Sequence, residues 1–313
     1  MRPTISASVT PMGHGYIREC LLKTLLFNHH LPTGHILELE SMVSAKSLAR
    51  CLAVVVICLF EPITAFSQTT PMSLELTYRV GLGHAELATT DAKWVFDKDS
   101  FEVVAASRTV GLTEMLRRYR GRAELAGKID GGRYLPIRLQ ISGISSRGNR
   151  EAESAWTSDV SSASTRREPA LDLEKVFPLV DKHINGAIDP LSAMLNVLSN
   201  ISQIGSCAGS ERIYDGLRTS EITLFDFGAD YLKKDRPFAF EGTVIKCGFI
   251  GKPTGGHQRK SRWRKKQPAP DDILIYIAEV RPDLFLPVRM EARSFIGTLT
   301  VRLAMPSLKV EHR

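Results

Sequence analysis

The sequence predicts an all-β, mainly antiparallel protein: a curved or barrel-like sheet with one clear α-helix near 189–201. Three observations predict it. Several segments alternate apolar and polar residues with period two, the pattern of a sheet with one buried and one wet face. Glycine-containing turn signals separate them. One segment alone, beginning Asp189-Pro190, carries helical spacing with a start signal.

The fold argument begins well inside the chain. Cys51 to Phe60 is an unbroken apolar run of ten residues, preceded by Lys46 and Arg50 and followed by Glu61-Pro62 and Thr64-Ala65-Phe66-Ser67. Basic residues, a short apolar stretch and small residues near a cut are the parts of a secretory signal. Ten helical residues extend about 15 Å, half of a roughly 30 Å hydrocarbon core. A retained anchor, which this length disfavours, and a buried core helix are the alternatives. Starting at Met42 gives a signal over 42–67 with a cut near Ser67-Gln68. Residues 1–41 then read as an upstream extension from an early start codon. Residues 68–313 are expected to form a single periplasmic β domain, not an integral membrane protein after signal cleavage.

The strands follow in order. Around Leu74, Leu76, Tyr78 and Val80 the opposite face carries Glu75, Thr77 and Arg79. Tyr119, Gly121, Ala123, Leu125 and Ile129 alternate with Arg120, Arg122, Glu124 and Lys128. Near the end, Phe295, Gly297, Leu299, Val301 and Leu303 alternate with Thr298, Thr300 and Arg302. Asp130-Gly131-Gly132, Asp215-Gly216 and Gly255-Gly256 read as turns, and Pro136, Pro237 and Pro287 as strand edges or starts. Segment 145–170, rich in Ser, Arg, Glu and Ala, is expected to give strand ends and a mobile loop.

Two segments read as helical. Asp189 is the expected N-cap, Pro190 the first helical residue, and Leu191, Met194, Leu195 and Leu198 one face. The stretch from Gly111 to Tyr119 fits one or two turns capped by Thr113, or a strand.

Composition bounds the function loosely. A net charge of +7 is modestly basic and selects no partner. Removing residues 1–67 takes away five positive and four negative side chains, so the charge hardly changes. It also removes Cys20, Cys51 and Cys58, leaving Cys207 and Cys247. Two cysteines in an exported chain are a natural disulfide pair, with two buried free thiols as the alternative. No metal site and no cofactor are expected.

The candidate chemistry is sparse. Gly205-Ser206-Cys207-Ala208-Gly209 has the form of a thiol nucleophile elbow, but an elbow follows a strand and opens a helix, and here a helix comes first. Asp271 and Asp272 are adjacent, so on a strand they face opposite sides, poor geometry for acid–base work. His84 reads as a strand position. The strongest local signal is basic: Arg259, Lys260, Arg262, Arg264, Lys265 and Lys266 crowd around Trp263. Such a cluster suits an anionic envelope surface, but Gly255-Gly256 before it and Pro268-Ala269-Pro270 after it favour a solvated loop between two strands. Export argues against a nucleic-acid partner.

The quoted motifs resemble the domain-of-unknown-function 3108 family of exported Gram-negative proteins. LELTYRVGLGHAEL, GGRYLPIRLQ, IDPLSAMLNVL, SCAGSERIYDGLRTSEITL with Cys247 downstream, and LPVRMEARSFIGTLTVRL fall in the family's order across 72–305. Residues 1–41 have no counterpart. The resemblance implies a β-rich periplasmic protein and supplies no catalytic residues. The expected function is non-catalytic binding of a lipid or an envelope protein in support of envelope integrity. A hydrolase of envelope polymers and a strand-pairing interaction module are the alternatives.

Overall fold

The computed structural model describes residues 71–146, 148–170, 172–259, 269–294 and 297–312. The expected upstream extension and signal, 1–67, lie outside them. The first meander runs β1 (Met72–Leu82), β2 (Ala85–Phe96), β3 (Ser100–Thr109), β4 (Tyr119–Asp130), β5 (Arg133–Ser145), β6 (Gly148–Trp156) and β7 (Ala163–Glu168). A second runs β8 (Gly209–Tyr214), β9 (Thr219–Leu232), β10 (Gly242–Gly255), β11 (Ile273–Arg281), β12 (Leu284–Ser294) and β13 (Gly297–Leu303), with β14 (Lys309–His312) last. The strands make one antiparallel sheet in the order β7-β6-β5-β4-β3-β2-β1-β13-β12-β11-β10-β9-β8. β1 joins the meanders: it pairs with β2 on one side and with β13 and then β14 on the other.

Among the described residues three α-helices accompany the sheet: α1 (Gly111–Leu116), α2 (Asp181–Ile184) and α3 (Pro190–Ile204). α3 starts as its sequence demands. Asp189 Oδ1 accepts from the N–H groups of Leu191 and Ser192 at 2.8 and 3.1 Å, with Pro190 in the first turn. It ends at Gly205, whose φ of 71° is the left-handed conformation glycine adopts freely. The expected helix near 189–201 thus extends one turn further.

α3 shows how far the sheet curves. It packs against β5, β12 and β8. Five strands separate β5 from β12 in the sheet, and three separate β12 from β8. One helix reaches all three only if the sheet curls around it. The core lies between them: Leu74, Phe101, Val103 and Leu125 from the first meander, Ile277 and Leu286 from the second, and Leu195 and Ile201 from α3 are all buried. Phe101 lies so close over Gly127 that a Cβ there would clash with its ring.

The sheet is barrel-like but not closed by strand pairing; side chains seal the seam between β7 and β8. Tyr214 Oη on β8 donates to Thr165 Oγ1 on β7 at 2.8 Å. Trp156 on β6 meets the Tyr214 ring edge-on at 6.4 Å and donates its Nε1–H to the Ala187 carbonyl at 2.8 Å. Ile188 adds a single parallel bridge to Ile213. Both sheet ends are therefore occupied along the seam.

Several expectations need correction. Segment 145–170 contains two paired strands, β6 and β7, rather than strand ends and a loop. Small inward residues, Ala152 and Ser154, alternate there with outward Glu151 and Glu153, so the period-two signal carries little hydrophobic contrast. Pro136 and Pro287 lie inside β5 and β12, each beside a register shift. A bulge leaves a residue out of the ladder, which lets proline sit mid-strand. Pro237 lies in the β9–β10 connection. His84 is in the β1–β2 turn. Thr113 does not cap α1, whose N-cap is Val110 without a side-chain bond.

Candidate functional site

The disulfide fixes the end of α3. Cys207 and Cys247 are bonded, with Cα atoms 6.2 Å apart and both side chains buried. Cys207 follows the cap of α3, and Cys247 sits in the middle of β10, so the bridge ties the helix exit to the inner wall. Asp226 on β9 secures the same turn: it accepts from Ser206 Oγ at 2.6 Å and from the Gly228 and Cys207 N–H groups at 2.7 and 3.3 Å. Partial burial alone would raise its pKa, but these hydrogen bonds outweigh that and hold it below the usual carboxylate value. A helix precedes Cys207, a strand follows it, and its sulfur is bonded, so the elbow-like pattern is a structural joint.

Of the basic cluster, only Arg259 is among the described residues; Lys260, Arg262, Trp263, Arg264, Lys265 and Lys266 lie outside them. Arg259 is drawn into local structure. Its Nε donates to the Val176 carbonyl at 2.8 Å, its N–H to the Lys175 carbonyl at 2.9 Å, and its guanidinium lies 5.5 Å from the Phe177 ring centre. Asp271 and Asp272 lie in the turn before β11 rather than on a strand, and each has its own partner: Asp271 pairs with Arg293 at 2.8 Å, and Asp272 accepts from the Ala269 N–H at 2.9 Å.

The feature with ligand chemistry is a cavity of about 410 Å³ between α3 and the inner face of the sheet. α3 contributes Leu191, Met194 and Val197; the sheet contributes Tyr78, Ile222, Phe249, Met290 and Val301 from strands of both meanders. Its wall is almost wholly apolar. Glu211 is its one charged residue among the described residues, held by Arg133 at 3.0 Å. The Tyr78 hydroxyl is buried with no hydrogen-bond partner, and burial pushes its phenol above the ordinary value. An apolar chamber with very few polar groups, within the roughly 300–1,000 Å³ of small-molecule sites, is the general form of a ligand pocket.

Sequence reasoning placed Leu191 and Met194 on the apolar face of the helix and Tyr78 on the apolar face of β1. It did not show that they front a chamber. The one available signal was the number of apolar faces: inward-facing strands and an apolar helix all need the same interior.

A second cavity of about 500 Å³ opens under α1, lined by Thr113, Arg117 and Tyr119 with Arg150 and Arg167. Among the described residues no group of side chains is arranged to hold a metal ion, and no helix is long and apolar enough to cross a membrane.

An antiparallel, barrel-like sheet wrapped around one disulfide-anchored helix is the class of protein these features define. The chain belongs to the family described as Protein of unknown function (DUF3108), whose match spans residues 73–304. No curated protein matches it. Among solved structures it is similar to a beta-barrel-like protein of domain of unknown function DUF1849 from Brucella abortus, at 9% sequence identity and a TM-score of 0.42, over 79% of this chain and 99% of that one.

Proposed function

We propose that this is a non-catalytic periplasmic protein that holds a lipidic ligand in the chamber between α3 and the sheet, in support of cell-envelope integrity. The observation that carries the reading is the chamber: about 410 Å³, apolar but for Thr90 and Glu211, between α3 and strands of both meanders. Burying apolar ligand surface there is favourable at roughly 25 cal/mol per Å². The signal-like stretch before Gln68 supports export, and the buried Cys207–Cys247 bridge fits an oxidising compartment.

A fluorescent fatty-acid analogue tests this. Fluorescence is expected to rise saturably, to fall on addition of an unlabelled fatty acid, and to stay low for a Met194→Trp variant that unfolds at the wild-type temperature. No saturable rise, or equal binding by the filled variant, would overturn the reading.

A further inference from the structure

The end of the sheet that carries α1 has a surface the chamber does not explain. We infer that α1 and the adjoining β5–β6 tip dock the protein on an anionic lipid bilayer. α1 presents Leu112, Met115 and Leu116 at i, i+3 and i+4, one helical face, and they are 77%, 84% and 87% exposed. None of the helix is buried, so this face adds nothing to the core. Ile144, 60% exposed at the end of β5, shares a groove with Met115 and Leu116. Large apolar side chains grouped at one protruding tip mark an interaction surface rather than ordinary scatter.

Charge selects the occupant. Arg117, Arg118 and Arg120 follow the apolar face immediately, and all are exposed. Against them α1 carries Glu114, which pairs with Arg118 at 3.6 Å. Apolar residues ringed by arginine are complementary to a surface whose headgroups are anionic and whose interior is hydrocarbon. Tyr119, 40% exposed, supplies the amphipathic ring favoured at such a boundary.

The cavity beneath adds an independent observation. Arg117 and Tyr119 line it together with Arg150 and Arg167. Arg167 has a buried Nη1 with no hydrogen-bond partner. Burial and then the nearby charge of Arg150 both disfavour its cation. Glu151 and Asp215 also line the cavity, and Asp215 is engaged by Arg218 at 2.9 Å. An anionic headgroup entering from the tip would meet the arginine side chains that line this cavity, Arg117, Arg150 and Arg167.

The test is vesicle flotation with protein recovered from an exporting Gram-negative host. Phosphatidylcholine vesicles are used with and without phosphatidylglycerol. The protein is expected to float only with phosphatidylglycerol and to be released by salt. Replacing Leu112, Met115 and Leu116 together by Ser is expected to abolish flotation. Replacing Arg117, Arg118 and Arg120 by Gln is expected to weaken it on the order of a hundredfold, from about 1 kcal/mol per basic residue near an anionic surface. Both variants keep the wild-type unfolding temperature, because the tip lies outside the core. The N-terminal segment is common to all samples, so differences report the tip alone. Equal flotation on both vesicle types, or by the serine variant, would overturn the inference. So would a dimer in sedimentation that the serine variant dissolves, which would make the face a contact between copies. Met194→Trp separates this from the proposed function: it is expected to lose the fatty-acid analogue and still float.

Discussion

Asn196 on α3 pairs with the backbone of Tyr134 on β5 as a neighbouring strand would. Its Oδ1 accepts from the Tyr134 N–H at 2.7 Å, and its Nδ2 donates to the Tyr134 carbonyl at 3.2 Å. Ser199, one turn on, donates to the Gly132 carbonyl at 2.8 Å. A side-chain amide is the one group that offers a donor and an acceptor at strand spacing from a helix. Asn196→Leu keeps the branched skeleton, at a larger volume, but leaves both backbone groups unanswered. It is expected to cost about 2–3 kcal/mol in urea unfolding, whereas Ser199→Ala costs about 1.

Asp189 makes a pH-dependent contribution. Burial raises its pKa, and the hydrogen bonds from Ser192 and Leu191 only partly oppose this. A raised folded-state pKa means that folding favours the protonated form. That stability is fully present below the unfolded value and is lost as pH rises through the folded one. Asp189→Asn keeps the cap acceptor and cannot ionise. At pH ~7 it is expected to unfold at the wild-type temperature or above, with the gap closing toward pH ~4. Asp189→Ala is expected to lose about 1–2 kcal/mol at either pH.

Asp235 holds together a row of like charges. Arg79, Arg302 and Arg289 stand in register across β1, β13 and β12, an arrangement that is repulsive by itself. The β9–β10 connection answers it. Asp235 accepts from Arg302 Nε at 3.0 Å and pairs with Arg289 at 3.0 Å, and Phe238 lies under the Arg79 guanidinium, 4.4 Å from its ring centre. Burial alone would raise the Asp235 pKa, but Arg302 and Arg289 outweigh it and hold it low. Its contribution is therefore present above the unfolded carboxylate value and lost as pH falls through the folded one. Asp235→Asn is expected to destabilise by about 2 kcal/mol near neutrality, the difference from wild type shrinking in acid, as thermal unfolding across pH would read.

The bridge spans 40 residues of chain. Replacing Cys207 and Cys247 together by Ser is expected to cost about 4 kcal/mol in the chain-entropy model. Because both sulfurs are buried, a reductant should act on the wild type no faster than the protein opens. Rapid reduction of the folded protein would contradict the burial described here.

What the sequence disclosed follows from how local each signal is. The start of α3 was legible because Asp189 and Pro190 mark it within their own neighbourhood, whereas the stop at Gly205 went unread and the helix was ended a turn early. The long alternating strands were legible where hydrophobic contrast is high, as in β1 and β4. β6 was missed because, short of Trp156 at its end, its inner face is Ala152 and Ser154, kept small beside Gly216 of the facing turn. The bulges at Pro136 and Pro287 were missed because a bulge belongs to two paired strands, and pairing is not local. The disulfide was legible by elimination, once the N-terminal cysteines had been set aside. The chamber was not, since Tyr78, Met194 and Phe249 become neighbours only after the sheet curls. The α1 tip was read as a short helix or a strand; that Leu112, Met115 and Leu116 stay outside depends on how the helix lies against the sheet, which is not a local property.

The account turns on whether the chamber is filled by a lipid in the protein as cells make it. A native mass spectrum of protein exported by a Gram-negative host measures this directly. The account predicts a species starting near Gln68, lighter than its dithiol form by the two hydrogens a disulfide removes, carrying a lipid-sized mass that is missing from the Met194→Trp protein. A wild-type spectrum with no added mass, or an adduct equally abundant on the filled variant, would contradict it.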